Sequence, residues 1–191
     1  MLPGCQSMPA KSSHSPSRVF RGLAFDIERQ RWTPAPGKPP LQRDIIRHGP
    51  SAVILALDAR QRLLLVRQYR AAAGQFLWEL PAGTVEADET PFACARRELA
   101  EETGYRARRW RRWARFFPSP GMLDEEMHAF LALDLLPGPA RPEADEAIVT
   151  RWWPQERWQS ALRAGRIRDG KTLAALARWL IDPAGDGKSI A

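Results

Sequence analysis

The sequence predicts a mixed α/β (α+β) fold. Apolar runs of strand length recur along the chain, and three segments with helical spacing carry their own start and stop signals. The chain has 191 residues, 44% of them hydrophobic and 27% charged, as in ordinary globular domains. These numbers exclude global disorder, and no G-X-Y period or long heptad array is present. The longest apolar runs, such as Ala52–Leu57, fall far short of the roughly 20 residues that cross a bilayer. The N-terminus lacks the apolar stretch of a secretory signal. Cys5 and Cys94 offer neither a disulfide framework nor zinc spacing, which suits a reducing cytoplasm.

Residues 1–17, rich in Ser, Pro, Gly and Lys, read as a disordered tail. Residues 18–47 read as a small strand subdomain. Its extended segment runs from Val19 to Ile27, a proline-broken loop spans Gln30–Pro40, and a short strand holds Ile45 and Ile46. The main domain spans 48–183. Ala52–Leu57 and Leu63–Val66 flank an Asp58-Ala-Arg-Gln turn and read as a hairpin of buried strands. A helix covers 91–103, with Thr90 as N-cap, Pro91 at the first helical position and Gly104 as left-handed stop. Strands follow at Arg111–Phe117, Met127–Leu135 and Val149–Trp153. Helices follow at 154–164 and 171–181, and residues 184–191 read as a frayed tail.

The net charge is +7, from 29 Lys+Arg against 22 Asp+Glu. That balance suits an anionic partner, but the basic residues are scattered, with one denser cluster at Arg106, Arg108, Arg109, Arg111, Arg112 and Arg115. Charge alone therefore gives little support to nucleic-acid binding.

The chemistry is concentrated at 81–105. Glu98, Glu101 and Glu102 fall within an arc of about 100° on the helix. Carboxylates so placed repel one another unless they are fully solvated or share a cation. Hard divalent ions such as Mg²⁺ prefer oxygen ligands. For E-x-x-E-E alone, a solvated acidic face is the ordinary reading. The whole stretch, however, reads Gly83, five residues, Glu89, seven residues, Arg97-Glu98-Leu99, one residue, Glu101-Glu102, one residue, Gly104-Tyr105. This matches G-x5-E-x7-R-E-U-x-E-E-x-G-U at every specified position, and the chain resembles the Nudix hydrolase family.

The resemblance implies a Nudix fold, a mixed β-sheet sandwiched between helices, and a loop–helix–loop that binds divalent metal, with Mg²⁺ expected and Mn²⁺ as substitute. It implies Glu98 and Glu102 as main metal ligands, Glu101 as a further or water-mediated ligand, and the Ala82 carbonyl as another donor. Gly83, Glu89, Arg97 and Gly104 are implied as structural members of the box.

Val66-Arg-Gln-Tyr-Arg70 and Trp78-Glu-Leu-Pro-Ala-Gly83, with Pro120 fifteen residues past Tyr105, resemble the ADP-ribose pyrophosphatase branch. That branch implies a mobile acidic loop at Asp124-Glu125-Glu126, with Glu125 as catalytic carboxylate and metal ligand, and Glu126 as the alternative. It implies a homodimer whose N-terminal strands exchange contacts, with Trp32, Arg43 and Asp44 as substrate-binding residues and Arg70 as a phosphate or ribose contact. Glu143–Glu146 and Arg168–Thr172 are family-like and structural. Cys94 reads as packed, His128 as structural, Trp110, Trp113, Trp152, Trp153 and Trp158 fit strand or helix faces, and His14 and His48 show no partner in sequence. The implied function is hydrolysis of ADP-ribose to AMP and ribose 5-phosphate. Two rivals are a nucleoside diphosphate hexose pyrophosphatase and a non-catalytic binding module for ADP-ribose or RNA. A third, mRNA decapping, has only the basic charge behind it.

Overall fold

The computed structural model describes residues 16–23, 25–35, 37–140, 148–183 and 189–190. Most of the N-terminal tail, with Cys5 and His14, and the acidic run Glu143–Glu146 lie outside them. Two compact units are present: the chain up to His48 together with Ser119–Glu125, and Gly49–Pro118 together with the chain from Glu126 onward.

The first unit holds an antiparallel sheet of β1 (Ser17–Arg21), β2 (Asp26–Trp32) and β3 (Leu41–Arg47), in that order. The single extended segment expected over 19–27 is instead a hairpin. Gly22 donates to the Phe25 carbonyl at 2.9 Å, and the chain reverses there. Trp32 ends strand β2 opposite Leu41 rather than lying in the loop, so the prolines interrupt the chain only after it. Ser119–Glu125 is fastened to β3: Ile46 N–H donates to the Met122 carbonyl at 2.8 Å and Asp124 N–H to the Ile46 carbonyl at 3.2 Å.

The second unit is built around β4 (Ser51–Ala56). This strand runs parallel to β9 (Met127–Pro137) on one side and antiparallel to β7 (Ala82–Thr84) on the other. β8 (Tyr105–Phe116) flanks β9, and the two-residue β11 (Ser189–Ile190) pairs with the outer edge of β8 at Trp110 and Arg111. The C-terminal residues expected to fray thus include a paired segment. A second sheet places β5 (Leu63–Arg70) between β10 (Val149–Trp153) and β6 (Gln75–Glu79).

The hairpin expected between β4 and β5 does not form beyond an isolated bridge from Leu57 to Leu63. Both strands are apolar on both faces, so each needs two flanking strands and two covering layers, and they diverge into different sheets. Ala52, Ile54 and Ala56 pack with Cys94, Ala95 and Leu99 of helix α1 (Pro91–Thr103). Val53, Leu55 and Leu57 pack with Trp158 and Ala161 of α2 (Gln155–Arg163) and Ala175 and Leu176 of α3 (Gly170–Ile181). The period-2 alternation of a strand thereby puts α1 on one face and α2 with α3 on the other.

The expected caps of α1 are present. Thr90 Oγ1 accepts from Ala93 N–H at 3.1 Å, and Gly104 closes the helix at φ 74°. A Cβ at Gly104 would also lie 2.6 Å from the Gly138 carbonyl. Among the described residues no helix is long and apolar enough to cross a membrane.

Ile54 is fully buried at the centre of this arrangement. Ile54→Ala is expected to destabilise the protein by about 2–5 kcal/mol through lost transfer energy and a residual cavity. Urea unfolding would show this as a lower midpoint with an unchanged slope.

Candidate active site

β7 delivers the Ala82–Gly83 backbone against α1. Ala82 N–H donates to Glu102 Oε2 at 3.2 Å, and the Glu102 side chain is buried. Glu98 lies against Gly83 so closely that a Cβ built there would fall 1.8 Å from Glu98 Oε1. Two carboxylates one helical turn apart thus meet the same dipeptide, and the missing side chain of Gly83 makes the space.

Arg97 holds this group together. Its Nη1 donates to Glu98 Oε1 at 2.6 Å and Glu101 Oε2 at 3.1 Å. Its Nε and Nη2 take both oxygens of Glu89 at 3.1 and 2.9 Å, and Nη2 also reaches the Thr84 carbonyl at 3.2 Å. One guanidinium therefore ties the loop after β7 to three carboxylates, as its planar fork permits. The Arg97 hydrogen bonds hold the Glu89 carboxyl below its ordinary range, against the opposing effect of burial. Glu101 is more exposed than Glu98 and turns toward Arg97.

Among the described residues no three His, Cys, Asp or Glu side chains form a ready-made metal cluster. Arg97 supplies one positive charge against Glu98 and Glu101. The donors themselves suit a hard divalent ion: carboxylate oxygens on Glu98 and Glu102, backbone carbonyls of the loop, and the room left by Gly83. Cys94 is no competitor. Its thiol is buried, donates to the Gly83 and Thr84 carbonyls, and is pushed up to about 12, first by burial and then by the charge of Glu98.

A second cluster adjoins the loop through Leu80. Arg70 grips both oxygens of Glu79 from Nε at 2.9 Å and Nη2 at 2.8 Å, while Lys171 Nζ bonds Glu79 Oε2. Glu79 is buried. Burial opposes its ionisation, but the Arg70 hydrogen bonds and the Lys171 charge prevail and hold its carboxyl below the usual range. Asp169 caps α3 at Thr172 N–H, 3.0 Å, and Thr172 Oγ1 accepts from Leu80 N–H at 2.8 Å. The sequence singled out Arg70 but missed Glu79 as its partner and Lys171 as the second cation on that carboxylate. The available signal was an acidic residue inside Leu77-Trp-Glu-Leu-Pro81, a stretch otherwise suited to burial.

In the first unit, Glu125 Oε1 lies 3.8 Å from His48 Nδ1, so His48 has a partner that sequence did not reveal. Asp124 anchors the acidic loop, accepting from His48 N–H at 2.8 Å and Arg47 Nη1 at 3.2 Å, and Arg47 also pairs with Glu28 at 2.8 Å. Glu126 belongs to the second unit, with Arg115 at 3.6 Å and His128 at 3.4 Å. Burial, followed by the charges of Arg115 and Arg112, lowers the His128 pKa against the pull of Glu126. Asp44 pairs with Arg29 through two bonds of 2.8 and 2.9 Å. Arg43 instead sits 5.9 Å over the Trp32 ring, a cation–π arrangement.

Arg97→Met tests the electrostatic design. A carboxyl whose folded pKa is lowered stabilises the fold above its unfolded pKa, and that contribution fades as pH falls through the folded value. The variant is expected to melt lower than the parent at pH 7. The gap should narrow as pH falls below the ordinary carboxylate range, where the lowered Glu89 carboxyl takes up its proton. A gap that stays constant as pH falls would count against a charge-based role.

Comparison with known proteins agrees with this geometry. The NUDIX domain profile matches residues 47–176. The chain is 38% identical to the CMP-5'-(N-acetyl-N-hydroxy-3-aminopropyl)phosphonate hydrolase of Streptomyces rubellomurinus, over 84% of this chain and 76% of that protein. It is 34% identical to the ADP-ribose pyrophosphatase of Bacillus subtilis, over 83% of this chain and 86% of that one. The crystal structure of an ADP compounds hydrolase superposes with a TM-score of 0.76 at 20% identity, covering 92% of this chain and 99% of that chain, a likeness of fold. With the box complete, its glutamates gathered on the Ala82–Gly83 loop and the profile spanning most of the chain, this protein belongs to the Nudix family.

Proposed function

We propose that the protein hydrolyses the diphosphate bond of ADP-ribose, giving AMP and ribose 5-phosphate, as a cytoplasmic homodimer dependent on Mg²⁺, with Mn²⁺ as substitute. The observation that carries this reading is the meeting of Glu98 and Glu102 at the Ala82–Gly83 backbone. Glu98, Glu102 and the Ala82 carbonyl would hold the cation, with Glu101 as a direct or water-mediated contact. When bound, the ion neutralises the diphosphate and makes water a better nucleophile near neutral pH.

The chain's own residues do the rest. Arg70 receives a phosphate or ribose oxygen through a guanidinium suited to parallel hydrogen bonds. Glu125 orients the attacking water and accepts its proton, and is also a metal ligand in this reading. Trp32, Arg43 and Asp44 serve adenosine recognition across the dimer. The exposure of Val19, Phe20, Phe25 and Leu41 on the small sheet supports a partner there, since such a surface is best covered.

A second reading has its own observation. The relative sharing 38% identity is named for a CMP-linked phosphonate, also a nucleotide joined through phosphorus. A panel of ADP-ribose, GDP-mannose, UDP-glucose and a CMP-linked phosphonate decides between them. The expected result is a kcat/KM for ADP-ribose about tenfold or more above the others, which needs only about 1.4 kcal/mol of differential transition-state binding. A win for a hexose nucleotide or the phosphonate replaces the substrate and keeps the chemistry. No turnover of any of them in Mg²⁺ or Mn²⁺ favours a binding module.

Glu98→Gln and Glu102→Gln are each expected to lower kcat by about a hundredfold or more. Near-normal turnover in both would end their assignment. Glu125→Gln is expected to reduce kcat far more than KM, whereas Glu126→Gln should be mild. The opposite order would move the loop carboxylate by one residue.

A further inference from the structure

We propose that Lys171 is a positioning residue for Arg70. By sharing the buried Glu79 carboxylate, it keeps the Arg70 guanidinium available to an anionic diphosphate. The inference rests on the reading of Arg70 as a phosphate contact and deepens it.

The geometry is asymmetric. The Glu79 side chain is 1% exposed and binds two cations, Lys171 at 13% exposure and Arg70 at 41%. The ammonium is the inner counter-ion and the guanidinium the outer one. Lys171 is fixed from both sides, since its Nζ also lies 3.1 Å from Asp169 Oδ1. Asp169 is itself immobilised, because its Oδ2 accepts from both the N–H and the Oγ1 of Thr172, at 3.0 and 2.6 Å. The helix N-terminus takes up part of its negative charge.

Arg70 spends one N–H of Nε and one of Nη2 on Glu79, leaving three of the five that a guanidinium carries. A buried carboxylate needs compensation, and breaking its pairing is costly. If Lys171 were absent, that demand would fall on Arg70 alone. An incoming phosphate would then compete with Glu79 for the guanidinium. Lys171 brings a second positive charge to Glu79 Oε2, so Arg70 is not the carboxylate's sole counter-ion.

Lysine at 171 therefore acts on substrate affinity through Arg70, and a double-mutant cycle tests it. Steady-state kinetics would be run on the full chain with the best diphosphate of the panel in Mg²⁺. The enzymes are the parent, Lys171→Met, Lys171→Arg, Arg70→Ala and the Arg70→Ala/Lys171→Met double variant, each with a thermal melt. Lys171→Met is expected to raise KM about tenfold while kcat stays within about threefold, and Lys171→Arg to return KM close to the parent. In the Arg70→Ala background, Lys171→Met should add nothing further to KM.

If Arg70→Ala raises KM while Lys171→Met leaves it unchanged, the positioning role is overturned and the phosphate role of Arg70 stands. Additive effects in the double variant also overturn it, because Lys171 would then act by another route. If Arg70→Ala leaves KM unchanged, the reading of Arg70 falls and this inference falls with it. Should Lys171→Met fail to fold, Lys171→Gln replaces it in the same cycle with the same criteria.

Discussion

The burial of β4 on both faces is the constraint on which the second unit rests. A strand with no solvent face must be covered twice, and its alternating side chains assign α1 to one side and α2 with α3 to the other. It must also be hydrogen-bonded along both edges. β9 fills one, and β7 fills the other over Ser51–Val53. That second pairing brings Ala82 and Gly83 to α1, because the same strand that buries the helix also carries the loop. The site is therefore a by-product of core packing: α1 cannot dock on Ala52, Ile54 and Ala56 without presenting its glutamates to the loop.

Electrostatics then decides whether the arrangement is tolerable. Glu98, Glu101 and Glu102 share a helix face, and Glu89 is drawn to the same arginine. Arg97 supplies a single positive charge to this group, at the boundary between loop and helix, and is bonded to Glu89, Glu98 and Glu101. The cluster around Glu79 follows the same logic with two cations and deeper burial. In both places an arginine holds a carboxylate below its ordinary range, and Arg97 also takes the Thr84 carbonyl. Charge balance and loop shape are one problem in this protein.

Much of this was legible in the sequence for definite reasons. Helix α1 announced itself through Thr90, Pro91 and Gly104, because caps are local interactions. The box was legible because its spacing matches the Nudix pattern at every specified position, whereas E-x-x-E-E alone reads as a solvated acidic face. What escaped depends on partners distant in sequence. β4 and β5 look like a hairpin locally, and only the competition among strands sends them to different sheets. The hairpin at Gly22–Phe25 was missed because no Asn-Gly or Pro marks it. Asp124 and Arg47 are 77 residues apart, and Glu79 and Lys171 are 92 apart, so neither pair leaves a periodic trace. Arg70 was recognised as important, but its commitment to Glu79 could be seen only once β5 and β6 were side by side.

The arginines of β8 have a consequence beyond ligand chemistry. Among the described residues, β8 has only Ser189 and Ile190 of β11 against its far edge. An edge of twelve residues, with Trp110 and Trp113 turned inward, would be a template on which a second chain could add a strand. Arg106, Arg108, Arg109, Arg111, Arg112 and Arg115 lie on that strand, and with Arg109 paired to Asp134 and Arg115 to Glu126 it keeps a net positive charge. Two copies approaching edge to edge would bring these guanidiniums together, and the repulsion opposes register-free pairing. The charge carried by this strand thus works against edge-to-edge pairing there.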